Sequence, residues 1–227
     1  MHLAVFDMDG TLIDAAHSPI DDRCFWRAVR EVLGLPGDGL EWIENLRHVT
    51  ATSMAAQFCE ERLGREASSG ELHLISRRHE GHLAKALAEL EPLTYRTPCS
   101  AEVLAALSDT AGLGWAIATG CFSVTANLKL GFAGLLQSGT VLATSDDAVS
   151  REEIMLAAAA RARGTGCEFT RFSYVGDGVW DLRAAQNLGW EFIGIADGQR
   201  AQELRRLGAL HVLPHFHPAS AFLQILG

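Results

Sequence analysis

The chain has no Cys-x-x-Cys spacing, no excess of basic residues and no apolar run long enough to span a bilayer. Its five cysteines (Cys24, Cys59, Cys99, Cys121 and Cys167) lie far apart, which speaks against a disulfide framework and against a zinc knuckle. Reduced thiols in a cytoplasm are the expectation, and no basic, apolar leader opens the sequence. Lys and Arg number 19 against 28 Asp and Glu, a net charge of −9. Nucleic-acid phosphates are bound through clustered cations, so a nucleic-acid surface is excluded, as is a membrane partner. Internal repeats and low-complexity tracts are also lacking. What remains is a small-molecule partner, and an anionic one must be drawn in locally by a metal ion and a few amides.

At 227 residues the chain is long enough for one full domain plus a modest insertion. Its most informative stretch is HLAVFDMDGTL, from His2 to Leu12. An apolar strand ends in Asp7 and is followed at once by Asp9, Gly10 and Thr11. Strand side chains alternate, so residues two apart face the same way and both acids stand at the strand's C-terminal edge. In an open parallel α/β sheet that edge is where ligands bind. Gly10 permits a tight turn with its amides close to an anion, and Thr11 offers a small hydroxyl to fix that turn.

From about Ile20 to Leu90 the apolar residues carry helical spacing, as in FWRAVREVLGL, SMAAQFCEERLG and ELHLISRRHEGHLAKALAEL. The Leu35 to Gly39 region, Gly64 and Gly70 punctuate this stretch into several helices. From Ala101 strands and helices alternate. Strands are expected at Gly114 to Thr119, Thr140 to Ala143, Phe172 to Val175, Glu191 to Ile195 and His211 to Leu213. Helices are expected at Ala101 to Ala111, Thr125 to Leu130, Glu152 to Arg163, Ala201 to Leu207 and Ala219 to Leu226. That alternation predicts an α/β fold, a Rossmann-like three-layer core with a mainly parallel sheet. The expected division is a core of residues 1–16 and 91–227 and an inserted all-α cap of residues 17–90.

Three further sites carry chemistry. Thr119 ends a strand and is followed by Gly120, offering a hydroxyl and a free amide to a phosphate oxygen. The loop Gly176, Asp177, Gly178, Val179, Trp180, Asp181 puts two acids between a strand and a helix, a donor set suited to a hard cation such as Mg²⁺. Asp181 is also placed to cap that helix. Arg151 opens an Ala-rich helix just after Ser150. Asp146 and Asp147 stand close enough in sequence to orient it. Cys121 adjoins the Thr119 turn, and Arg47, His48, Thr50 and Thr52 form a polar break that could face a substrate. His211, His215 and His217 have no ligand-like company.

The order Asp-x-Asp-Gly-Thr, Thr-Gly, basic residue and Gly-Asp-Gly-x-x-Asp resembles the haloacid dehalogenase-like hydrolases. One departure is clear: that family usually has Lys where this chain offers Arg151. The resemblance implies that Asp7 is a nucleophile attacking phosphorus and that Asp9 is general acid and then general base. It implies Mg²⁺ held by Asp7, the Asp9 backbone carbonyl and Asp177, with Asp181 holding a metal-bound water or ordering the loop. Thr119, Gly120 and Arg151 would hold the phosphoryl oxygens. The implied activity is a Mg²⁺-dependent phosphatase acting on a small phosphate ester. A phosphomutase and a non-catalytic binding descendant are the alternatives. Haloacid dehalogenation is disfavoured, because it needs neither a metal nor an acid at position 9. Oligomeric state is left open.

Overall fold

The computed structural model describes residues 1–37, 45–164 and 166–226. Its sheet has six strands: β1 (His2–Phe6), β2 (Leu113–Ala118), β3 (Leu142–Ala143), β4 (Arg171–Gly176), β5 (Glu191–Ile195) and β6 (His211–Leu213). All five pairings are parallel, in the order β3-β2-β1-β4-β5-β6. This is the doubly wound order, whose direction of growth reverses between β1 and β4; ligand crevices open at such a point, beyond the strands' C-terminal ends.

Every residue of β1 is buried because helices cover both faces. Leu3 and Val5 face a cluster built with α7 (Arg151–Arg163), α8 (Val179–Leu188) and α9 (Gly198–Arg206). Ala4 and Phe6 face the opposite cluster, with α5 (Ser100–Asp109), α6 (Ser123–Phe132) and α10 (Ala219–Leu226). The three-layer expectation therefore holds, and the strands fall within two residues of where the sequence places them. β3 keeps only two of the four residues expected, because Thr140 closes a turn onto Gln137 instead of joining the ladder.

Between β1 and α5 the described chain is helical: α1 (Ser18–Leu33), α2 (Ala51–Leu63), α3 (Ser69–Leu87) and the short α4 (Pro92–Tyr95). Gly64 ends α2, as its position suggested, and Gly34, just before the expected break, ends α1. Gly70 does not break a helix. It lies in the first turn of α3, which is started by a capping box between Ser68 and Glu71. Asp38 and Gly39, part of the expected punctuation, lie outside the described residues.

The helical insertion has its own apolar cluster of Phe25, Trp26, Val29, Phe58 and Ile75, and Phe122 from the loop after β2 inserts into it. Burying a ring of that size contributes about 1.5–3 kcal/mol, so this phenylalanine fastens insertion to sheet. Leu83 and Leu87, late in α3, pack in the cluster that also holds Met8 and Ile13. Among the described residues no helix is long and apolar enough to cross a membrane.

Candidate active site

The C-terminal ends of β1, β2 and β4 lie side by side, since Phe6 pairs with Ile117 on one side and Val175 on the other. The residues that follow each strand therefore meet. Asp7 leaves β1 with its amide still bonded to the Val175 carbonyl at 2.8 Å. Carboxylate oxygens of Asp7, Asp177 and Asp181 all lie within 4.8 Å of one another, and all three residues are buried. Gly10 makes this convergence possible. Its φ is +78°, and a Cβ there would collide with the Asp177 carboxylate.

Three anions held this closely in a buried place are costly, and their acidities show it. Burial pushes Asp7 up to about 7, against the pull of Arg151. Burial, then the Asp7 charge, pushes Asp177 up to about 7, and burial pushes Asp181 up to about 6. Two arginines offset part of the charge. Arg200, on α9, is paired with Asp177. Arg151, at the start of α7, donates from Nη1 to Asp7 Oδ1 at 3.0 Å and holds Nε 3.5 Å from Asp181 Oδ1. Its Nη2 donates to the Val49 carbonyl at 3.0 Å. Arg151 is thus buried at the carboxylates, and not an exposed residue of a helix start.

Asp146 and Asp147 do not orient it. Asp147 pairs with Arg161, Nη1 to Oδ2 at 2.9 Å, and Asp146 Oδ2 accepts from the Ser123 amide at 2.9 Å, at the start of α6. Asp181 fills the helix-start role as well as joining the cluster, since its Oδ2 accepts from the Gly178 amide at 3.0 Å. Its Oδ1 is buried without a hydrogen-bond partner.

Thr119 and Gly120 follow β2. A Cβ on Gly120 would stand 2.7 Å from the Val49 carbonyl and 3.1 Å from Arg151 Nη2, so only glycine lets the insertion's backbone approach. The Gly120 carbonyl accepts from the Ala51 amide at 2.7 Å. The polar break of the insertion is largely spent on similar fastenings. Thr50 Oγ1 donates to the Val149 carbonyl and Thr52 Oγ1 to the Ser145 carbonyl, each at 2.9 Å, while Arg47 pairs with Glu60 on the surface. Thr50 nevertheless lines the cavity described below.

Asp9 faces different company from Asp7. Its Oδ2 accepts from Lys129 Nζ at 2.6 Å and from Cys121 Sγ at 2.9 Å. Lys129 comes from α6, its side chain is fully buried, and it also donates to Asp21 Oδ2 at 3.1 Å. Asp21 Oδ1 in turn accepts from His79 Nε2 at 3.0 Å. Burial would raise the Asp21 carboxyl, but Lys129 and His79 outweigh it and hold the group far below the ordinary carboxylate range. The Cys121 thiol is pushed well above its usual range by burial and then by Asp9, so it is no thiolate nucleophile. Lys129, Asp21, His79 and Arg200 were not singled out from the sequence. For Lys129 one signal was present: it shares its helix face with Thr125, Ala126 and Leu130, all buried, and a lysine on such a face needs a partner.

Most of these groups, though not Lys129 or Asp181, line one cavity of about 490 Å³ between sheet and insertion. Core elements supply Asp7, Asp9, Asp177, Arg151 and Arg200 to its lining. Helices α1 to α3 supply Ser18, Asp21, Asp22, Phe25, Met54 and His79.

The chain belongs to the haloacid dehalogenase-like hydrolases, whose family description matches residues 1–189. Its fold is shared with several solved proteins. A hydrolase from Pseudomonas syringae is 23% identical over 93% of each chain, with a TM-score of 0.67. CbbY from Rhodobacter sphaeroides, solved in complex with phosphate, is 20% identical over 95% of each chain, with a TM-score of 0.68. A HAD hydrolase of family IA, variant 3, from Entamoeba histolytica is 19% identical over 96% of this chain and 94% of that one, with a TM-score of 0.65. No curated protein sequence matches this chain.

Proposed function

We propose that the chain is a Mg²⁺-dependent phosphatase that hydrolyses a small phosphate monoester through an aspartyl-phosphate on Asp7. The supporting observation is the convergence of Asp7, Asp177 and Asp181 within 4.8 Å, with Arg151 bonded to Asp7. The donor set fits a hard divalent ion: three buried carboxylates, with Asp181 Oδ1 lacking a hydrogen-bond partner and two acids held near pH 7. Asp7, the Asp9 carbonyl and Asp177 would hold the ion, with Asp181 behind them. When bound it supplies positive charge that lets a carboxylate approach a phosphoryl group.

In the first displacement an Asp7 carboxylate oxygen bonds to phosphorus while the ester oxygen leaves with its electron pair, and Asp9 gives that oxygen a proton. In the second, water attacks the same phosphorus, Asp9 takes its proton, and the Asp7 carboxylate departs as phosphate is freed. Both described bonds to Asp9 fall on Oδ2, which leaves Oδ1 to serve the leaving group. Arg151, the Thr119 hydroxyl and the Gly120 amide hold the equatorial oxygens, where charge spreads.

Helices α1 to α3 act as a cap, residues 17–90, over a core of residues 1–16 and 91–227, and close the leaving group off from water. Their share of the cavity lining carries Asp21 and Asp22 and no Lys or Arg among the described residues. No Lys or Arg of these helices stands there to receive a second phosphate, so the favoured leaving group carries no phosphate of its own. CbbY has been solved with xylulose-1,5-bisphosphate; a bisphosphate, and with it the mutase reading, finds less support in this pocket.

The test is a phosphate-release screen over monophosphates and bisphosphates with Mg²⁺ supplied, in the wild type and Asp7→Asn. Release from monophosphates that is lost in Asp7→Asn is expected. Undiminished release by that variant removes Asp7 as nucleophile. A wild type that releases phosphate from no ester favours the non-catalytic reading.

A further inference from the structure

Only two lysines occur in the chain, Lys85 and Lys129. The second is the one whose ammonium is fully enclosed, with Asp9 Oδ2 at 2.6 Å, Asp21 Oδ2 at 3.1 Å and Cys121 Sγ at 3.1 Å. An ammonium has three donors, and three acceptor atoms surround this one. Two of them belong to the core, on the turn after β1 and the turn after β2. The third belongs to α1 of the helical insertion. Asp21 is itself fixed from the far side by His79 of α3, whose side chain is 3% exposed and stands edge-on to Phe25, with ring centroids 5.6 Å apart.

We propose that Lys129 is the positioning residue for Asp9, and that Asp21 and His79 hold it in place, so that the aim of Asp9 depends on how the insertion is seated. This rests on the reading of Asp9 as the proton donor of the first displacement. The argument is geometric. Asp9 lies beyond the end of β1, on the turn that Gly10 makes, where the ladder no longer fixes its direction. Its side chain is 28% exposed to the cavity, and the described bonds that hold it come from Lys129 and Cys121. Lys129 sits on a helix packed into the core and reaches two carboxylates at once, 108 and 120 residues away in sequence. If Asp21 shifts with the insertion, the ammonium loses one of its two counter-charges and its hold on Asp9 changes. A buried charge that loses a partner is left partly uncompensated, at a cost that its remaining contacts must meet.

A merely structural ion pair and a positioning one differ in a measurable way. General acid catalysis matters where the leaving oxygen is basic and contributes about 10²–10⁴ in rate; a p-nitrophenolate ion leaves without a proton. The experiment measures kcat/KM, which reports the first displacement, for p-nitrophenyl, phenyl and alkyl phosphates with Mg²⁺. Wild type, Asp9→Asn, Lys129→Met and Asp21→Asn are compared. Lys129→Met is expected to lose about 100-fold on the alkyl ester and no more than about fivefold on the p-nitrophenyl ester, following Asp9→Asn. Asp21→Asn, which keeps the side chain's shape and suits the case that Lys129→Met does not fold, is expected to lose about tenfold on the alkyl ester with the same split. Equal losses on all three esters, or none, in a folded variant would overturn the inference. If Asp9→Asn itself shows no split, it is the underlying assignment of Asp9 that fails.

Discussion

Replacing Arg151 with methionine keeps an unbranched apolar stem and removes the guanidinium. In the native site that group stands 3.0 Å from Asp7 Oδ1 and 3.5 Å from Asp181 Oδ1, buried with both. A pair of unit charges about 4 Å apart is worth about 4 kcal/mol at an effective dielectric of about 20. Removing one member of a buried pair costs about 3–5 kcal/mol, because the survivor is left desolvated. Here the survivor has an escape. Burial already holds Asp7 near 7 with the arginine in place, so without it the carboxyl takes up a proton at neutral pH and the cost settles near the lower end, about 3 kcal/mol. Urea unfolding at pH 7.5, without metal, measures this in Arg151→Met, Asp7→Asn and the double variant. The double variant should be destabilised by less than the sum of the singles, by about 2 kcal/mol, since with asparagine at position 7 only the Asp181 carboxylate is left to strand. Additivity within about 0.5 kcal/mol would refute the pairing on which the site's electrostatics are built.

Gly10→Ala is expected to be among the most damaging one-carbon changes in the chain. Its left-handed φ alone costs an alanine about 1–2 kcal/mol, and the methyl must also displace the Asp177 carboxylate; a thermal melt that keeps the wild-type response to Mg²⁺ would count against that collision. Stability should also depend on pH in a way that metal reverses. Asp7, Asp177 and Asp181 titrate near 7, 7 and 6 when folded and near 3.9 when unfolded, so the folded chain binds more protons and loses stability as pH rises from about 4 to about 7. A divalent ion favours the ionised cluster, so the gain in Tm on adding Mg²⁺ should be larger at pH 8 than at pH 5. An equal gain at both would exclude these acids as its ligands.

The sheet was legible because its signals are local. Apolar strands that end in Asp7, Thr119 and Gly176 announce both the ladder and the edge where ligands gather, and their turn residues were readable for the same reason. Arg151 was legible as a position but not as an environment: only the fold shows it enclosed between Asp7, Asp181 and the Val49 carbonyl. Gly70 was misread because a glycine in a helix's first turn costs little beside a capping box that supplies the missing hydrogen bonds. Lys129, Asp21 and His79 were missed because their meaning is a meeting of three distant segments. Each alone is an ordinary helix residue. A lysine on an otherwise buried helix face was the one local clue, and it names no partner.

The distribution of the two kinds of cation gives this site its logic. The family resemblance leads one to expect an ammonium beside the nucleophile, and here a guanidinium stands there. Its planar fork meets two carboxylates and a backbone carbonyl in fixed directions, and the Val49 carbonyl belongs to the insertion. The ammonium stands instead beside Asp9, where three acceptors surround a point charge and a planar group would fit poorly. In both places a core cation is shared between a catalytic carboxylate of the proposed mechanism and an acceptor from the helical insertion. The two carboxylates that the proposed mechanism uses are thus each tied, through one buried cation, to the helical insertion. A shift of that element is therefore felt at both carboxylates together.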